Sequence, residues 1–304
     1  MPPIVLAMIA VAALMHAAWN VLIKTSGDPL LVAERGMIAA TIVGLPVAIV
    51  GWLVIGSPAI PAEAWGLGVL SGLLEVVYFV LLAAAYRRGG LSVVYPIARG
   101  TAPLLSVAAG VLLLGERIGG MGALGVGALI VGIVAVQRPW RFLRGGPLAE
   151  AAVPFALACG VSIAAYSTVD RVGSQLTEPW LYAAILFPVT AVGLAVWTRV
   201  VGARGVGARG VGADDASGVV AVIPSWSRST AAGVLAIGAY VLVLAALAIA
   251  PLSIVAPLRE SAIVLVSLWG SIRLGEAASR RDTTIRLVAA AFVVAGALLL
   301  ALDT

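Results

Sequence analysis

Charge is scarce in this sequence. Asp, Glu, Lys and Arg make up 11% of the 304 residues, against about 25% in a soluble domain. Cysteine occurs once, at Cys159, which excludes an internal disulfide and any cysteine-based metal cluster. Histidine also occurs once, at His16, so neither a histidine metal site nor a conventional catalytic triad is expected. No Gly-x-Ser-x-Gly, His-Glu-x-x-His or Walker pattern is present, and no metal or cofactor is expected. Apolar residues are abundant instead: 62% of the chain is hydrophobic and the mean hydropathy is +1.12. No water-soluble fold buries that much apolar surface, so the chain reads as an all-α integral membrane protein.

Apolar runs of spanning length fall near 3–23, 31–54, 64–86, 91–114, 119–137, 149–169, 178–200, 230–250, 253–274 and 284–302. They predict ten transmembrane helices. The opening run resembles a signal peptide but has no basic n-region, and more spans follow it, so it reads as the first helix. The linker "QRPWRFLRGGP" brings Arg138, Arg141 and Arg144 to the midpoint of the chain. Residues 201–229 begin with the pentamer Val-Gly-Ala-Arg-Gly written twice and read as a Gly-rich loop.

Basic residues set the expected orientation. On the side opposite the termini, loops and helix ends carry fifteen Lys and Arg, against two, Arg117 and Arg171, on the terminal side. Cytoplasmic loops are the basic ones, so both termini are expected outside the cytoplasm, in a multi-pass protein of the cell membrane. The net charge of +5 has the same explanation. No basic patch interleaved with aromatics points to nucleic acid.

The chain also repeats itself. "LSVVYPIARG" at 91–100 and "LSIVAPLRES" at 252–261 share Leu-Ser-x-Val-x-Pro, and Leu-Gly-Glu follows each, at 114–116 and 274–276. "HAAWNVLIK" at 16–24 has its counterpart in "IAAYSTVDR" at 163–171. Two five-helix repeats are expected, 1–140 and 148–304, joined by the basic linker 141–147. Five spans is an odd number, so the second repeat enters from the opposite face, giving inverted topology. Gly115 and Gly275 suit helix ends because glycine tolerates positive φ. Glu116 and Glu276 then fall at the interface, with a structural or a gating role.

Taken together, these stretches resemble the drug/metabolite transporter superfamily of EamA type, over essentially the whole chain. The resemblance implies ten helices around a central substrate cavity and transport of a small metabolite, with no enzymatic activity.

Ionisable groups inside a span cost several kcal/mol unless they face a cavity or a partner. His16, Glu75, Arg99, Arg259 and Glu260 all fall in the middle third of a core about 30 Å thick, counting about 1.5 Å per residue. Pro96 and Arg99 share one face of the fourth helix, and Pro257 and Glu260 repeat that spacing on the ninth. Arg99 and Glu260 are therefore symmetry mates of opposite charge. Each proline frees a backbone carbonyl that can line a polar cavity. His16, Trp19 and Asn20 share a face of the first helix. Ion pairing and packing are the alternative roles for these groups.

The expected substrate is a small metabolite such as an amino acid or related zwitterion, moved across the lipid bilayer. A lipid-linked or other phosphate-bearing anion is the alternative. His16 or Glu75 can carry a coupling proton. Small residues at four-residue spacing on the fifth helix, Ala123 with Gly127 and Ala128 with Gly132, allow a homodimer without requiring one.

Overall fold

The computed structural model describes residues 2–25, 28–88, 91–137, 147–208, 224–260 and 280–302. Ten helices occur among them: α1 (Pro3–Thr25), α2 (Pro29–Val54), α3 (Ala62–Arg88), α4 (Leu91–Leu112), α5 (Gly120–Gln137), α6 (Pro147–Leu176), α7 (Pro179–Ala208), α8 (Trp226–Ile249), α9 (Leu252–Glu260) and α10 (Arg280–Leu302). There is no strand among the described residues. Five helices contain stretches long and apolar enough to cross a membrane: Leu30–Val54, Ala62–Ala85, Ala151–Leu176, Pro179–Val200 and Trp226–Ile249. Pro3–His16, Ile97–Leu112, Gly120–Ala135 and Leu287–Leu300 are shorter apolar stretches.

Two helices differ from the sequence expectation. The sixth runs to Leu176, beyond the end expected at 169, because Asp170 and Arg171 find partners inside the protein and need no loop. The seventh continues to Ala208, across the first Val-Gly-Ala-Arg-Gly copy. Alanine and arginine favour a helix strongly enough there to carry its glycines. With α8 starting at Trp226, the Gly-rich segment expected at 201–229 is helical at both ends. The 141–146 part of the linker lies outside the described residues, as do Gly275 and Glu276.

Packing runs mainly between the two halves. α1 and α2 lie against α8, α3 against α6 and α7, α2 against α7, α4 against α6 and α9, and α5 against α10. Exchanging each helix with the one five places along carries α1/α8 into α6/α3 and α2/α8 into α7/α3. It leaves α2/α7, α4/α9 and α5/α10 as they are.

Lipid supplies no hydrophobic drive for helices to associate, so close backbone approach matters. Where α2 crosses α8, a Cβ on Gly36 would stand 2.8 Å from the Ser229 carbonyl oxygen. Where α5 crosses α10, a Cβ on Gly125 would stand 2.9 Å from the Gly296 carbonyl oxygen. Gly132 is likewise held against Ala289 of α10, whereas Ala123 and Gly127 face outward. Cys159 is a buried packing residue. Large aliphatic side chains such as Leu14, Ile42, Val54 and Leu112 cover the outside, as a lipid-facing surface requires.

Candidate functional site

Three charges meet where α4 faces α9, Arg259 and Glu260 buried and Arg99 partly so. The Arg99 Nη1 donates to both Glu260 carboxylate oxygens, at 3.0 and 3.2 Å. From the neighbouring position, Arg259 Nε donates to Glu260 Oε1 at 3.1 Å. Glu260 is 2% exposed and Arg259 5% exposed, so water screens these charges little. Two guanidiniums thus converge on one carboxylate. Pro257, three residues before Glu260, is buried inside the described part of α9. Arg99 Nη2 also reaches the Tyr78 hydroxyl at 3.5 Å.

Tyr78 begins a chain of edge-to-face rings. It meets Phe79 and Tyr166, Tyr166 meets Tyr240, and Tyr240 meets Phe187, with centroids 4.9–6.0 Å apart. Such contacts order bulky side chains while the hydroxyl ends stay available for hydrogen bonds. The chain of rings runs from the guanidinium cluster to a second polar centre.

Asp170 of α6 forms that second centre. It is fully buried, accepting from the Tyr182 hydroxyl at 3.1 Å on Oδ1 and from the Tyr240 hydroxyl on Oδ2. Glu75 of α3, 6% exposed, has Oε2 3.0 Å from Thr190 Oγ1 of α7. Among the described residues no basic group is within ion-pairing distance of Asp170 or Glu75.

On α1, Trp19 Nε1 donates to His16 Nδ1 at 2.8 Å. His16 lies within reach of the charges of Arg259 and Arg99. The Trp19 ring itself packs with Val32 and Ala232, in a small apolar cluster apart from the main core. The side chains of Asn20 and Pro96 are outside the described residues. The structure therefore brings Arg99, Arg259 and Glu260 into contact, sets His16 near them, and leaves Glu75 with Asp170.

The first Leu-Gly-Glu has a definite geometry. Gly115 takes φ +65°, a left-handed conformation that suits glycine, and the chain turns back after α4. Glu116 then accepts from Leu252 N at 2.7 Å and Ser253 N at 2.9 Å, the first amides of α9. A carboxylate there satisfies orphan donors and complements the helix dipole. Arg171 Nε pairs with Glu116 Oε1 at 3.3 Å, and the same guanidinium donates to the Leu247 and Ala248 carbonyls at the end of α8. A side chain at Gly110 would collide with the Glu116 carboxylate, so glycine at that position makes the contact possible.

Sequence reasoning missed Asp170, Tyr182 and Tyr240. Asp170 and Arg171 looked like the start of a loop, and tyrosines count as apolar in a hydropathy run. The polar stretch Arg171–Glu178 that follows Asp170 masked it, and no local signal in the sequence set it apart.

Among curated proteins none matches the chain. A crystal structure superposes on it with a TM-score of 0.68 at 21% identity, over 99% of this chain and 98% of the other. That likeness concerns the fold alone. Residues 3–137 match the EamA-like transporter family, and over that stretch the chain is similar to membrane transporters.

Proposed function

We propose that the protein is a secondary transporter that moves a small zwitterionic metabolite, an amino acid or a relative, across the cytoplasmic membrane by alternating access. The observation that carries this reading is the ion pair of the partly buried Arg99 with the buried Glu260. It joins helices α4 and α9, which the sequence repeat relates to each other. A zwitterion offers a carboxylate to one partner and an ammonium to the other, so it replaces the pair without leaving either charge bare. An uncompensated buried charge costs about 3–5 kcal/mol. Two inverted five-helix repeats and ten spans belong to the same reading. The contact pattern that survives exchange of α1–α5 with α6–α10 supports them.

The test is uptake into proteoliposomes loaded with an amino-acid mixture, with competition by zwitterions and by matched amines or acids lacking one charge. Zwitterions should compete best. Arg99→Lys keeps the charge and loses the planar fork, so transport should fall about tenfold or more while the protein still reaches the membrane. Unchanged transport by that variant would sink the reading.

A second reading has its own observation. Two guanidiniums, Arg99 and Arg259, share one carboxylate, an excess that suits a phosphate-bearing or other anionic substrate, including a lipid-linked one. Competition by a simple organic phosphate, with none by any zwitterion, would favour it.

Orientation is proposed as N-out and C-out. A cytoplasm-active reporter after Thr304 should be silent, and one inserted near Gly207 active.

A further inference from the structure

We propose that Glu75, Ser71 and Asp170 form a proton relay that holds one transferable proton, and that this proton is the coupling ion of transport. The coupling role rests on the transporter reading above; the relay itself does not.

Thr190 Oγ1 is the first observation. It lies 3.0 Å from Glu75 Oε2, 3.3 Å from the Gly72 carbonyl oxygen and 3.2 Å from the Leu186 carbonyl oxygen. A hydroxyl has one hydrogen and cannot donate to three acceptors. A proton on Glu75 resolves the crowding. Glu75 then donates to Thr190 Oγ1, and the Thr190 hydrogen goes to a backbone carbonyl. Asp170 is arranged the other way. Each of its oxygens receives a tyrosine hydroxyl, from Tyr182 and Tyr240, which is the environment of an ionised carboxylate. The two acids lie on packed helices, α3 and α6, within reach of each other's charge. Neighbouring buried carboxylates in unlike surroundings share a proton unequally.

Ser71 is the second, independent observation. It is fully buried on α3, one turn before Glu75, beside both Asp170 and Tyr182. Its Oγ meets no partner with hydrogen-bond geometry. Sited beside Asp170 and one turn from Glu75, this hydroxyl can, once the Glu75 side chain turns toward it, accept a proton from one acid and pass its own to the other, leaving the count of atoms and charges unchanged.

The surroundings favour a proton over a metal cation. A hard cation needs a shell of acceptor oxygens, whereas Tyr182 and Tyr240 direct hydrogens at Asp170. The polar groups facing Asp170 are Ser71 and Glu75 from α3, Tyr182 from α7, Tyr240 from α8 and Arg259 from α9. Arg99 of α4 is engaged with Glu260.

Infrared spectroscopy of the purified full-length protein tests the relay without any substrate. Wild type at neutral pH should show the carbonyl stretch of a protonated carboxylic acid, lost on raising the pH. Glu75→Gln should abolish the band, and Ser71→Ala should keep it while slowing its exchange in heavy water. Absence of the band from wild type, or its persistence in Glu75→Gln, overturns the relay. Where Glu75→Gln does not fold, Thr190→Val decides: a shifted band supports Glu75 as the proton holder, and an unshifted one overturns it. In proteoliposomes a pH gradient should drive amino-acid accumulation by wild type. Asp170→Asn should exchange substrate at equal pH yet lose that response. A retained response, or driving by a sodium gradient instead, overturns the coupling role. Failure of the infrared arm leaves the transporter reading standing, so the two fail separately.

Discussion

The two buried polar centres stabilise charge by opposite means. Between α4 and α9, Glu260 is balanced by two full positive charges, Arg99 and Arg259. Between α3, α6, α7 and α8, Asp170 and Glu75 are surrounded by hydroxyls. Ion pairs in a low-dielectric interior depend on every member, because removing one exposes the other's desolvation cost. Hydroxyl donors are individually weaker and replaceable. The first centre suits recognition of a charged solute, since a competing ion pair must replace what it breaks. The second suits a change of protonation, since hydroxyls can turn from donor to acceptor.

The comparison breaks if the first centre tolerates the loss of a charge. Glu260→Ala strands two guanidiniums in the interior, and the expected loss is about 3–5 kcal/mol. Thermal unfolding of the detergent-solubilised protein should show the largest drop of the series; a drop no greater than for the second centre removes the distinction. Asp170→Ala should come next, at about 1–3 kcal/mol, because two phenols lose their acceptor. Asp170→Asn should recover most of that loss by restoring an acceptor of the same shape. Glu116→Ala sharpens the comparison from outside both centres. It removes a helix cap and its arginine partner, and should cost about 0.5–2 kcal/mol. Smallest of all, Tyr182→Phe removes one hydroxyl donor of two, at about 1 kcal/mol. A Tyr182→Phe loss matching that of Glu260→Ala would mean that the hydroxyl centre is no more forgiving than the charged one.

The first centre was far more legible in the sequence than the second. Arg99 and Glu260 stand at matching places in a repeated Leu-Ser-x-Val-x-Pro stretch, and alignment of the repeat alone pairs them. Arg259 was visible as a charge inside an apolar run. Glu75 was visible for the same reason, but its companion Asp170 was not. The residue facing Asp170 in the repeat alignment is Ile23, so symmetry gave no hint, and the neighbouring Arg171 made the pair look like loop. Partners on α7 and α8 hold Asp170 inside, and distant contacts of that kind leave no local trace. The helical stretch at 201–208 was hidden differently: repeated glycines outweighed the alanines and arginines between them. For Glu116, the glycine before it announced a turn, while the target of its carboxylate, 136 residues away at Leu252, could only be seen in three dimensions.

That target has a consequence for how the end of the molecule yields. Glu116 holds two amides of α9 and one guanidinium, and that guanidinium holds the end of α8. Hydrogen bonds weaken steeply as their angle opens. A tilt of α9 therefore spoils the two amide bonds together, and the arginine then loses its counter-charge. Small displacements meet full resistance, and beyond a certain tilt the resistance falls away. The contacts at this end of the protein therefore give way together rather than one at a time.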